Sequence, residues 1–218
     1  MVYFGLANVL FLLRYALARA QNARRQFYYI VLWGLFIFSA FRFQVGCDWS
    51  GYYHQFIVAQ NIEWSSFTEM REPIWWAILG GIQAIGLPYP VVNIAASAMF
   101  FIGVHVLAQR QPDPLGFLVL LFPILIINLP MSGIRQGAAI GILCIAFTAF
   151  IDRRATVYAL WIIIGAGFHS SALIFLLLVP LATGRYTKPR LILAALLSIP
   201  GLFILISGES GERASSRY

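Results

Sequence analysis

The stretch SGIRQGAAIGILCIAF, residues 132–147, opens with an arginine and a glutamine and then runs on in apolar or small residues. A charged side chain at membrane depth is costly, so such a group normally faces a cavity and has a function. Gly137, Ala138 and Ala139 follow Arg135 and Gln136. Small residues let backbones approach closely and leave room for a polar cavity, and they equally suit ordinary helix packing.

The rest of the chain has the same character. Of 218 residues, 61% are hydrophobic and only 11% charged, well below the roughly 25% charge of soluble domains. Lipid is therefore the expected solvent. Apolar runs occupy residues 3–18, 27–41, 73–86, 91–108, 115–129, 133–151, 156–183 and 191–206. In lipid, backbone polar groups must be satisfied within their own segment, which makes every run an expected helix. The expected fold is all-α, a polytopic integral membrane helical bundle of about seven to nine membrane segments, some short or broken. Residues 1–206 form its single transmembrane domain, and the polar tail 207–218 reads as an interrupted loop.

A net charge of +7 is not a nucleic-acid footprint here, because most Arg and Lys fall in short connections, where topology signals lie. No nucleic-acid partner is expected. Cys47 lies in a polar stretch and Cys144 deep in an apolar one, so neither a disulfide nor a metal motif is expected. The first run lacks a basic leader and a small-residue cleavage site, so it reads as a retained span.

Arg14, Arg19, Arg24 and Arg25 in and around the 18–26 loop mark that side as cytoplasmic. The N-terminus and the long 42–72 loop then lie outside. Residues 73–86 reach only about 21 Å against a core of about 30 Å, which predicts a half-span or re-entrant piece. That parity places Asp152–Arg154 inside and Arg135 at the outer face. The run 156–183 is too long for one span and carries Gly165 and Gly167, so it predicts a broken pair that goes out and returns.

Three polar clusters then reach the outer half of the membrane. The first holds Arg42, Gly46, Asp48, Trp49 and Tyr52; the second Arg135 and Gln136; the third His169, Ser170 and Ser171. Each has a plainer reading. Arg42 suits a snorkelling anchor, the aromatics an interface belt, and His169 a hydrogen-bonded core histidine. Together they suit an anionic lipid-linked substrate. Arginine forks match phosphate oxygens, and Trp49, Tyr52 and Tyr53 offer flat faces to sugars.

In order and spacing, FRFQVGCDWSGYYHQF (41–56), EPIWW (72–76), SGIRQGAAIGILCIAF (132–147) and GAGFHSSALIFLL (165–177) resemble the EpsG family of Wzy-like membrane polymerases. That family is marked by an Arg–x–x–x–Gly–Thr–Asp–Tyr stretch, an Arg–Gln pair opening a later helix, and a Phe–His followed by small residues. Here Cys47 stands in place of the threonine and Trp49 in place of the tyrosine. The resemblance implies an enzyme of the glycosyltransferase type in the bacterial cytoplasmic (inner) membrane. Such an enzyme joins undecaprenyl-diphosphate-linked oligosaccharide repeat units for exopolysaccharide, capsule or O-antigen, beside flippase and chain-length regulator proteins. The family's marked positions carry over as Arg42, Gly46, Asp48, Arg135, Gln136 and His169. The chain is shorter than the family's usual length and reads as truncated.

On that basis Arg135, with Arg42, stabilises the leaving diphosphate, and Asp48, ahead of His169, takes the acceptor's proton. Gly46, Gln136, Trp49 and Tyr52 contact substrate. No cofactor or metal is expected, because no paired carboxylates or His–Glu spacing offers hard oxygen ligands. The competing readings are a transporter or flippase of the same lipid, which would normally show internal repeats, and a non-catalytic subunit of a polysaccharide assembly complex.

Overall fold

A computed structural model describes residues 2–196 except 43, 47, 127, 185, 186, 190 and 194. Cys47, the end of the 191–206 run and the 207–218 tail lie outside the described residues. The described chain is helical, without a strand. Its helices are α1 (Val2–Ala16), α2 (Gln21–Ala40), α3 (Trp49–Ala59), α4 (Pro73–Ala84), α5 (Pro90–Ala108), α6 (Pro114–Leu121), α7 (Ile134–Ile151) and α8 (Ala155–Ala166). Tighter helical turns cover Trp64–Glu69 and Ser170–Leu178, and a wider π turn covers Phe122–Ile126. α5 and α7 are long and apolar enough to cross a membrane.

α5 and α7 form the spine. Gly103 and Gly141 place the two backbones in direct contact: a Cβ on Gly103 would run into the Gly141 carbonyl, and one on Gly141 would lie 2.6 Å from Phe100 Cα. Only residues without a side chain permit that approach. The two helices run parallel, since Arg110, just past α5, forks onto Asp152, just past α7, at 3.0 and 3.1 Å. α2 lies antiparallel to α5 and is tied to it by Tyr28 Oη and His105 Nδ1 at 2.9 Å, and by Ser39 Oγ and Ser97 Oγ at 2.8 Å.

These contacts sort the chain onto two ends of the bundle. Arg14 pairs with Asp113 at 2.7 Å at the end that also holds Arg110 and Asp152. Gly184 packs against the Arg153 side chain there. The other end gathers the close of α2, the starts of α5 and α7, and the close of α8. Residues 41–89 therefore leave and re-enter the bundle at the same end. α4 is only 12 residues long, about 18 Å. The 156–183 run breaks after Ala166 and returns along Ser170–Leu178, packed on α8 through Tyr158 Oη, which donates to the Phe175 carbonyl at 2.9 Å.

Two loop expectations need correction. The 18–26 segment is not a loop throughout, because α2 begins at Gln21 and absorbs Arg24 and Arg25. Straight-chain residues such as arginine and glutamine extend a helix readily beyond its apolar run. The 42–72 segment contains α3, whose Tyr52, Phe56 and Ala59 recur on one face and are buried. They pack against Trp75, Leu79, Tyr89, Val92 and Ile134. Gly34, Leu35 and Phe38 of α2, with Leu6 and Leu10 of α1, Phe122 and Met131, line an apolar groove of about 280 Å³. A second hollow shares Phe38 and Met131 with it and ends at Arg42.

Candidate active site at the ends of α4, α7 and α8

The site is built where three segment starts converge. Asn128 O accepts from both Ser132 N and Gly133 N, bending the chain so that α7 opens at Ile134 with Arg135 in its first turn. A helix N-terminus is already electropositive, and a guanidinium there adds to the field. α4 opens at Pro73 directly after Glu72, and its first turn docks on the break after α8, with Trp75 N donating to Gly167 O at 3.0 Å. A Cβ at Gly167 would meet the Ile74 side chain at 2.5 Å, so the missing side chain makes room for this docking.

The docking carries Glu72 into the centre. Its carboxylate lies 2.6 Å from Arg135 Nη1 through Oε2 and 2.8 Å from His169 Nδ1 through Oε1. Oε1 also accepts from Ser170 N at 3.1 Å. At His169 the ring N–H points away from the line to the oxygen, so the contact is electrostatic rather than a well-formed hydrogen bond. Burial alone would raise the Glu72 pKa. His169, the Ser170 amide and Arg135 outweigh it and hold the carboxyl below its ordinary value. On its other side His169 Nε2 meets the Gln136 amide nitrogen at 3.2 Å. Arg135 stacks over the Tyr52 ring, 5.5 Å from its centroid, a cation–π contact.

Arg42 is 8% exposed. Burial lowers its pKa, while Tyr89 and Tyr52 act the other way. Two buried guanidinium nitrogens, Arg42 Nη1 and Arg135 Nε, have no hydrogen-bond partner. Buried donors are normally satisfied, so two at one end of the bundle mark a place built to hold acceptors.

The structure thus brings together Arg135, Gln136, His169 and Tyr52, and sets Arg42 beyond Tyr52. Asp48 is exposed at the start of α3 and has no ion pair with this cluster. Trp49 tilts against Tyr53 at 6.1 Å. Gly46 has a packing role: at φ 109° it lets the loop backbone abut the Met131 carbonyl, which any side chain would displace. Glu72 escaped attention because it stood among several loop acids. Its signal was position, a carboxylate directly before Pro73 at a helix start, when Arg135 needed a counter-charge.

Fold and site define an all-helical membrane protein with an arginine–carboxylate–histidine centre at one end of its bundle. The chain belongs to the EpsG family, which it matches over residues 2–210. Membership ties it to polysaccharide biosynthesis and to the Wzy-like membrane proteins. Searches of curated proteins and of solved structures yield no match.

Proposed function

We propose that the protein is a multi-pass polymerase of the bacterial cytoplasmic membrane, with its site facing outside, that joins undecaprenyl-diphosphate-linked oligosaccharide repeat units. The observation that carries this is the grouping of Arg135, Glu72, His169 and Gln136 beside Tyr52 and the buried Arg42. Large apolar side chains exposed around the bundle, among them Leu12, Ile30, Trp33, Ile102, Leu120 and Leu160, suit a lipid solvent.

In the reaction, an acceptor sugar hydroxyl attacks the anomeric carbon of the donor glycan. Its proton passes to His169 Nε2. The bond from that carbon to the diphosphate oxygen breaks, and the electron pair leaves with the lipid diphosphate. Charge grows on the leaving oxygens, where Arg135 and Arg42 supply fixed positive charge in a site of low dielectric. Burial favours His169 over Asp48 as base, since it lies within the cluster while Asp48 faces solvent. The apolar groove that leads to Arg42 suits the lipid tail.

Purified protein given lipid-linked repeat units tests the proposal. Wild type is expected to extend them, Arg135→Ala and His169→Gln to lose roughly 10²-fold or more in rate, and Asp48→Asn to lose less than about tenfold. Normal polymerisation by Arg135→Ala would sink the assignment.

A further inference from the structure

We infer that Glu72 is the positioning residue of the site: its carboxylate sets which nitrogen of His169 bears the proton and leaves Nε2 free to act as base. For the role of Nε2, this rests on the polymerase reading. The tautomer itself rests on the charge beside Nδ1 and does not depend on that reading.

His169 Nδ1 lies 2.8 Å from Glu72 Oε1. Beside an anion at that distance the hydrogen-bearing form of Nδ1 is favoured electrostatically over the unprotonated, electron-rich form, even though the contact is not a well-formed hydrogen bond. Ser170 N and Arg135 Nη1 hold the carboxylate from two further directions, at 3.1 and 2.6 Å. Its side chain is only 7% exposed, which leaves little freedom to turn away. With the Nδ1 proton set, Nε2 of the neutral ring is an acceptor. The group facing it is the Gln136 amide nitrogen, a donor, at 3.2 Å. The two ends of the ring therefore agree. An acceptor hydroxyl that replaced the Gln136 amide would meet the basic nitrogen directly.

The same carboxylate answers the charge produced in the step. Once Nε2 takes the hydroxyl proton, the ring is an imidazolium beside Glu72, and a buried carboxylate stabilises it without itself accepting the proton. Glu72 also holds Arg135 over Tyr52 through Oε2. One side chain thus sets the direction of the base and the place of the positive charge. His169 sits in extended backbone (φ −154°, ψ 121°) between α8 and the turn that follows. Its amide donates to Gly165 O and its carbonyl accepts from Ala172 N, which fixes the backbone, while Glu72 and Gln136 contact the ring.

The full-length protein labelled with ¹⁵N-histidine tests the inference without any substrate. It has three histidines, and His169→Gln identifies the resonance. Wild-type His169 is expected to give the signature of a protonated Nδ1 and an unprotonated Nε2. Glu72→Gln should shift it to a mixture or to the other tautomer, and Glu72→Asp should restore it in part. In turnover, Glu72→Gln should lower kcat roughly 10²-fold with KM within about threefold, and Glu72→Asp should recover part of the loss. A monodisperse Glu72→Gln protein with unchanged His169 tautomer overturns the inference. If Glu72→Gln fails to fold, an unchanged tautomer in a folded Glu72→Ala protein does the same, whereas a shifted one supports it. A tautomer shift in a protein whose wild type extends no lipid-linked glycan upholds the positioning role and rejects the polymerase reading.

Discussion

Glu72 and Arg135 stand 63 positions apart in the chain, yet Oε2 of one lies 2.6 Å from Nη1 of the other. The pair joins the first turn of α7 to the residue that opens α4. It therefore sets the height at which α4 sits against the bundle. Removing the arginine leaves a mostly buried carboxylate with only His169 and an amide for company. Arg135→Ala is expected to destabilise the protein by roughly 3 kcal/mol, the low end for a broken buried pair because Arg135 keeps some solvent contact. Chemical denaturation in detergent measures it, and a loss under about 1 kcal/mol would reduce the pair to an ordinary surface bridge.

The same pair makes stability depend on acid. Folding lowers the Glu72 pKa, so the unfolded chain binds the proton more tightly. The contribution is complete above about pH 4.5, the ordinary carboxylate range. It is lost as pH falls through the lower folded value. Thermal unfolding between neutral pH and the acid limit should show this decline in wild type and a flatter profile in Glu72→Gln.

The α5–α7 contact should tolerate almost no added volume. Gly141→Val is expected to cost more than the usual 1–3 kcal/mol of overpacking, because the atoms it meets are backbone and cannot rotate away. It should also displace the first turn of α7, and with it Arg135. Loss of folded yield on size exclusion is the readout, and a normal yield would show that the helices can separate cheaply.

Gly34 offers the opposite case. It lines the apolar groove on the way to Arg42, and a Cβ there meets nothing within 4 Å. Gly34→Phe should therefore fold normally while filling the groove. If the groove takes the lipid tail, KM should rise about tenfold or more for a long polyprenyl donor and change less than about threefold for a short-chain one, each tenfold step being about 1.4 kcal/mol of lost contact. Equal KM for both donors would place the tail elsewhere.

Much of the architecture was legible in composition. Runs too apolar for water must form helices in lipid, and the shortness of 73–86 and the glycines of 156–183 marked a short helix and a broken one. α3 was not legible, because its buried face is three residues in a polar stretch. Within the site, Arg135, Gln136 and His169 stood out as polar groups in apolar surroundings, and they do meet. Asp48 stood out as a carboxylate of the long loop, and it is exposed at the start of α3, apart from the cluster.

What the sequence determined by itself is local: which segments are helical, where small residues allow close packing, and which polar groups are too costly to lie there without a role. These follow from side-chain chemistry over a few turns. Only the tertiary structure decided the partners. Glu72 looked like one of several loop acids until Trp75 N bonded Gly167 O and brought its carboxylate between Arg135 and His169. An ion pair depends on distances that a fold closes across many residues, and no local pattern records that closure.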